Sequence, residues 1–385
     1  MIKAKKLIST ILVGGILLSS LVGCSNAGST SENAGNSNVI KIGGIAPLTG
    51  DVAVYGVAAD NGVKLAIEEI NANGGLLGKQ IEYVVYDDKG DPTEAVNAFK
   101  KLTSNDKVEA IVGAVTSKPT LTVTPLAAKD GIPMITPTAT ALEVTSAGPN
   151  IFRACFIDPY QGEIMAKFAA EELKASKAAV IYNTADDYSV GVAEAFRDAA
   201  QNFGAQVVSF EGYNGDDKDF KAVLTNVKSQ APDVLFIPDY YTRVGLIAQQ
   251  AKEVGITATL LGADGWDGVL GVNPEAVEGA YFCNHYSTDD TATEVQNFLK
   301  VYKEKYNEDP VSFAALGYDA MKILAAAIEK AGSTDKEAVV KALAETNVTS
   351  VTGTITFDEN RNPVKDVSII KIENGSNRLF TKMSL

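Results

Sequence analysis

Two kinds of hydrophobic pattern alternate along most of this chain. The runs "VIKIGGIAP", "IEYVVYDD", "VEAIVGAV" and "IPMITP" are short and β-branched, and they read as strands. Between them, apolar positions recur every three or four residues. Val63, Ala66, Ile67 and Ile70 predict a helix with one buried stripe, which "GGLLG" stops. Such alternation predicts a parallel sheet covered on both faces. A second series begins near Ile151, with "AAVIYN", "AQVVSFEGY", "DVLFIPDYY" and "ATLLGAD" as strands. One of its helices carries Val244, Ile247, Ala248 and Ala251 on a single face. Three more helical segments are expected near 291–306, 313–330 and 335–345. "GTITFDENRNP" and "VSIIKIENG" close the chain as two expected antiparallel strands around a turn.

The first residues do not fit this scheme. Lys3, Lys5 and Lys6 precede an uncharged run from Leu7 to Val22, shorter than the roughly 20 residues that span a bilayer. A basic start, a short apolar middle and a small-residue end make a secretory signal over 1–23. Its end, Leu21-Val22-Gly23-Cys24, resembles the lipobox of bacterial lipoproteins, which implies cleavage before Cys24 and lipid on that cysteine. Residues 24–38 then form a flexible tether, almost all Ser, Asn, Gly, Ala and Thr with Glu32 the only charge. They cannot bury enough apolar surface to offset their entropy, and their r.m.s. reach is about 20 Å.

Charge narrows the class of partner. Loss of the leader takes the formal net charge from −14 to −17, which argues against nucleic acid and against an anionic lipid surface. The remaining chain exceeds the size at which single cores stop growing, so two domains are expected. Besides Cys24 only Cys155 and Cys283 remain, too few for a disulfide scaffold.

In open parallel sheets ligands bind beyond the carboxyl ends of strands. The loops there read "LTGDVAVYG", "TSKPT", "PTATA", "NTADDYSVG", "DYYTRVG" and "ADGWDG". They hold hydroxyls, tyrosines and carboxylates, but little that a catalyst needs. His285 is the only histidine, which removes Ser-His-Asp and Cys-His arrangements and reads as structural. No cluster has zinc spacing. "GGLLGKQ" lacks the spacing and the Ser/Thr of a phosphate loop. "DENRNP" has Pro363 where a calcium loop needs glycine. Asp87-Asp88, Asp186-Asp187 and Asp216-Asp217 read as caps and turns. Neither an enzyme nor a cofactor or metal site is expected.

A free α-amino acid would suit these loops. Its carboxylate fits backbone N–H groups at helix starts, helped by Ser117, Thr138 and Thr140. Its ammonium needs a carboxylate such as Asp264, and Tyr55, Tyr188 and Tyr240 offer hydroxyls and ring area. Spacing alone leaves other roles open: Ser117 as a helix cap, Asp264-Gly265 as a turn, and Trp266 as core.

The stretches "NGVKLAIEEINANGGLLGKQIEYVVYDDKGDPTEAVNAFKKL", "VEAIVGAVTSKPTLTVTPLAAKDGIPMITPTATA", "FRACFIDPYQG", "YYTRVGLIAQQAKEVG" and "LLGADGWDG" resemble the leucine/isoleucine/valine-binding proteins of bacterial ABC importers. The resemblance implies an α/β type I periplasmic-binding-protein fold, two doubly wound lobes joined by three crossovers. The expected lobes are 39–155 plus 286–352 and 156–285 plus 353–385, with crossovers near 153–157, 282–286 and 351–356. It also implies a carboxylate cradle of Ser117 and Thr140 with main-chain groups of Thr138 and Ala139, and cleft tyrosines Tyr55, Tyr188 and Tyr240. Asp264 falls at the ammonium position, where the best-known members carry a longer glutamate. Phe313 walls the side-chain pocket, and Trp266 is placed with it. Cysteines that members often join at the positions of Lys89 and Thr116 are missing here. Cys155 and Cys283 should lie close together, more as reduced thiols than as a bond.

The function so implied is that of a monomeric, extracytoplasmic, membrane-tethered receptor delivering a small aliphatic amino acid to an ABC permease. A neutral amide or urea is the runner-up solute, and a sensory ligand-binding module is the other reading.

Overall fold

The computed structural model describes residues 38–385; the leader, Cys24 and almost all of the expected tether lie outside them. The first sheet contains β1 (Val39–Ala46), β2 (Gln80–Asp87), β3 (Ala110–Gly113), β4 (Met134–Thr136) and β5 (Ile151–Arg153). Its order is β2-β1-β3-β4-β5, and every pair is parallel. The second sheet starts with β6 (Lys177–Asn183), β7 (Gln206–Tyr213), β8 (Val234–Phe236), β9 (Thr259–Gly262) and β10 (Tyr281–Asn284). Those five repeat the same parallel order, β7-β6-β8-β9-β10. Both sheets therefore reverse direction between their first and third strands, which is where such folds place ligands.

Helices cover the sheet faces as the periodicity predicts. α1 (Ala53–Ala72) buries Val63, Ala66 and Ile67. α2 (Pro92–Lys100) starts from Asp91, whose carboxylate accepts from the N–H groups of Thr93 and Glu94 at 2.8 and 2.9 Å, with Pro92 in the first turn. α3 (Ser117–Asp130) completes this set, while α4 (Asp158–Glu171), α5 (Asp187–Ala200), α6 (Lys221–Ser229) and α7 (Tyr241–Val254) belong to the second lobe. The chain then returns: α8 (Thr293–Tyr306), α9 (Ser312–Ala331) and α10 (Lys336–Ala344) join the first lobe.

α9 lies directly on α1, at a crossing made possible by glycine. A Cβ on Gly62 would stand 1.9 Å from the Ala314 carbonyl oxygen, and one on Gly317 would stand 2.1 Å from that of Ala59. Backbone cannot yield as a flexible side chain can. Gly62→Ala is expected to destabilise the fold by about 2 kcal/mol, as overpacking does, read as a lower midpoint in urea.

The end of the chain departs from the sequence expectation. β11 (Asn347–Ser350) pairs with β12 (Gly353–Thr356), and β13 (Val367–Glu373) pairs with β14 (Ser376–Met383), each antiparallel. "GTITF" and "VSIIK" are thus not partners. β13 also extends the second sheet beside β10. Ile355 is buried among residues of the first lobe, and Phe357 lies against Phe152, ring centroids 5.3 Å apart. Arg361 and Asn362 still bond to Ile151 and Thr145, so the chain passes to the second sheet between Asn362 and β13, later than the expected 351–356. Asp319 on α9 anchors the preceding turn, accepting from the N–H groups of Val351 and Thr352 at 3.0 and 2.9 Å and from the Thr352 hydroxyl at 2.6 Å.

Cys155 and Cys283 are both buried and free. The Cys155 thiol donates to the Ala139 carbonyl at 3.3 Å and the Cys283 thiol to the Gln161 amide oxygen at 3.4 Å. Burial pushes the Cys155 thiol up to about 12.

Candidate functional site

The cleft begins where β3 gives way to α3. Thr116 is the helix N-cap, with extended backbone and no side-chain bond into the helix. The opening N–H groups of α3 therefore have no acceptor within the helix. The Ser117 hydroxyl oxygen accepts from the Ala141 N–H at 3.2 Å, tying this turn to the loop after β4, and keeps its own proton to donate. The Thr138 hydroxyl is committed to the Val115 carbonyl at 2.5 Å. The Thr140 hydroxyl lies against the Asp158 carboxyl.

Ala139 does not play the part expected of it. Its N–H donates to the Thr136 hydroxyl at 3.1 Å, and its carbonyl accepts from Arg153 Nη1 at 3.0 Å and from the Cys155 thiol. Neither main-chain group is left for a carboxylate. Arg153 is fully buried and also donates through Nη2 to the carbonyls of Ala141 and Leu142, at 2.8 and 3.2 Å. A strand residue thus pins the loop that carries the threonines.

The second lobe supplies the opposite wall. Asp264 opens a short turn after β9 and is 3% exposed. Its N–H donates to Gln161 Oε1 at 3.0 Å, and its Oδ2 lies 3.0 Å from His285 Nε2. The Tyr188 hydroxyl accepts from the Gly265 N–H at 2.9 Å, and its ring stacks on Tyr240 with centroids 5.1 Å apart.

Tyr55 is a clasp between the lobes rather than a wall of the cavity. From α1 its hydroxyl donates to the Gly265 carbonyl and accepts from the Tyr241 N–H at 3.0 Å, while its ring stacks on Phe313 at 4.0 Å. Lys118 Nζ reaches the Ala185 carbonyl at 2.9 Å, and the Ser312 N–H reaches Asp267 Oδ2 at 2.6 Å, also across the cleft. Trp266 is in the core, 0% exposed, with Nε1 donating to the Ile237 carbonyl at 2.7 Å. It lines no part of the cavity.

Ser117, Thr138, Thr140, Tyr188, Tyr240, Asp264 and Phe313 do line one cavity together, joined by Val115, Thr116 and Gly265. It is almost filled, with a free volume of only about 10 Å³. The lobes are drawn close around it. A larger hollow of about 770 Å³ opens behind the hinge, among His285, Thr352 and Lys365. There Lys365 is already bonded to the Ala154 carbonyl and Thr352, and Lys382 to Asp290. The smaller cavity is the better site because it lies beyond the carboxyl ends of strands in both sheets, where the start of α3 and the Asp264 carboxylate face one space.

Burial holds the hydroxyls of Tyr55, Tyr188 and Tyr240 well above the ordinary tyrosine range, so all three stay protonated donors. Burial also pushes His285 down to about 4, leaving a neutral imidazole at pH 7. Asp88, just after β2, and Asp239, just after β8, are each pushed up to about 7, mainly by burial. The folded state keeps protons there that the unfolded chain sheds near pH 4. Their stabilising contribution is complete below that value and is lost as pH rises through about 7. The urea midpoint is expected to be lower near pH 8 than near pH 5.5, and Asp239→Asn should narrow the gap.

His285 reads from the sequence as structural, and Gln161 and Thr116 are not among the expected site residues. Gln161 lies within the quoted "FIDPYQG" and Thr116 immediately before Ser117, so position could have marked both. A lone histidine has no pattern to mark it.

Two doubly wound lobes that clasp a small cavity, hydroxyls on one side and a carboxylate on the other, define a solute receptor. The chain belongs to the periplasmic binding protein family, whose model matches residues 39–377. This is a family of solute-binding proteins, not enzymes, and its ABC-importer members are extracytoplasmic. A leucine-, isoleucine-, valine-, threonine- and alanine-binding protein from Pseudomonas aeruginosa is 36% identical over 329 residues, 84% of this chain and 87% of the relative. The crystal structure of a leucine-binding protein from Thermotoga maritima superposes with TM-score 0.85 at 36% identity, covering 89% of this chain and 98% of that one. A branched-chain amino acid transporter substrate-binding protein from Streptococcus pneumoniae, solved with isoleucine, gives TM-score 0.84 at 34% identity, covering 90% and 99%.

Proposed function

We propose that the protein captures a small aliphatic amino acid between its lobes and delivers it to the permease of an ABC importer. The observation that carries this reading is the division of chemistry across one cavity. The start of α3, with Ser117 and Thr140, faces a carboxylate from one side, and Asp264 faces an ammonium from the other. Neither lobe alone can meet both ends of a zwitterion. The lobes are 39–155 with 286–362, and 156–285 with 363–385, so solute and closure act together. Relatives that bind leucine, isoleucine, valine, threonine and alanine support the class of solute.

A thermal-shift screen of the twenty amino acids with simple amides tests the reading. Small aliphatic L-amino acids should raise the midpoint, because a ligand of the native state at a hundredfold excess over Kd adds about 2.7 kcal/mol. A response to amides alone would overturn it.

Export and anchoring belong to the same reading. The leader ends at residue 23, and Cys24 carries lipid that holds the receptor, as a monomer, at the outer face of the cell membrane. Cys24→Ser should move the protein from the membrane fraction to the soluble one; retention in membranes would count against lipidation.

A further inference from the structure

We infer that His285 is a positioning residue for solute binding, aiming the Asp264 carboxylate at the ammonium without cancelling its charge. This rests on the proposed role of Asp264 and goes beyond it.

The geometry begins with the carboxylate itself. Asp264 is buried, and His285 Nε2 lies 3.0 Å from one of its oxygens, Oδ2. A carboxylate that receives an ammonium, as proposed, is an acceptor only, so the imidazole proton belongs on Nε2. Among the described residues Nδ1 is buried with no partner, and the ring's one hydrogen bond is to Asp264. The ring is held from the other side by Phe156, stacked at 3.7 Å with 19° between planes. Phe156 lies on the first crossover and His285 just after β10, on the second. The hinge thus fixes the imidazole, and the imidazole fixes the carboxylate.

The choice of donor is physical. A lysine or arginine there would pair with Asp264 and offset the negative charge that the solute's ammonium needs. A neutral imidazole orients the same oxygen and leaves the charge in place. Burial keeps it neutral, since it pushes the histidine down to about 4. Among the described residues the hydrogen bond to the Asp264 carboxylate falls on Oδ2, which leaves Oδ1 for the solute.

Two variants separate positioning from packing. His285→Phe keeps an aromatic ring against Phe156 and removes the donor. His285→Gln loses the ring and returns an amide N–H close to the Nε2 position. Titrations with L-leucine, L-valine and L-alanine by calorimetry should show affinity lowered about 10–100-fold in the Phe variant, the scale on which supporting hydrogen bonds act. The Gln variant should recover most of it, whatever its thermal midpoint. Native affinity in His285→Phe, or an equal loss in both variants, would overturn the inference. Asp264→Asn is measured beside them. If it binds like the native protein, the amino-acid site itself is misplaced. If it fails to bind while His285→Phe is unaffected, only the role of His285 falls.

Discussion

Asp264→Ala is expected to abolish amino-acid binding while the protein stays folded. An ammonium drawn into a closed cavity has no other carboxylate on its wall, because Asp264 is the only acidic residue among the lining groups. Removing one member of a buried charge pair costs about 3–5 kcal/mol, or two to three orders of magnitude or more in affinity. The fold should survive the change at a cost of about 1–3 kcal/mol, because the buried His285 ring loses its hydrogen bond. The Asp264 N–H keeps its bond to Gln161, and Gly265 keeps both tyrosine hydroxyls. Calorimetry with L-leucine, L-valine and L-alanine gives the affinity, and a melting curve without solute checks the fold. Undiminished binding in a folded variant would place the ammonium elsewhere.

Arg153→Met should damage stability and binding together. The guanidinium supports the loop after β4 through the carbonyls of Ala139, Ala141 and Leu142. Methionine fills similar space without donating. Ala139 retains the Cys155 thiol and Ala141 the Val144 N–H, so the loss is mainly that of the charged donor's own bonds, at about 1.5–3 kcal/mol each. Relief from burying a charge offsets part of this, for burial already lowers the arginine below its ordinary range. A net loss of about 2–4 kcal/mol is expected, with affinity reduced more than about tenfold as the loop bearing Thr138 and Thr140 loosens. An unchanged urea midpoint would show that the loop stands without the arginine.

The parallel framework was legible because alternating strands and helices leave a strong periodic trace. Val63, Ala66 and Ile67 face inward on α1 as their spacing requires. Strand pairing at the end of the chain was less so, since two turns lie close together and each competes for the same β-rich runs. Asn374 and Gly375, with φ of 55° and 67°, form the tight turn that joins β13 to β14. Within the site, Ser117, Thr138, Thr140, Tyr188, Tyr240, Asp264 and Phe313 were placed together by resemblance. Ala139, Tyr55 and Trp266 were not separable from them, because a residue number does not tell which way a group faces. Ala139 turns its carbonyl to Arg153, Tyr55 its hydroxyl to Gly265, and Trp266 its indole N–H to Ile237. His285 acquires meaning only through Asp264, more than twenty positions earlier in sequence but adjacent in space.

The thiols at the hinge bear on how the molecule is made. Cys155 and Cys283 each find an acceptor among oxygen atoms, and a protonated thiol shut away from solvent neither attacks oxidants nor exchanges with small disulfides. The folded body consequently asks nothing of a thiol oxidase or an isomerase. A cytosolic expression host with a reducing interior should yield the same lobes as an oxidising compartment does.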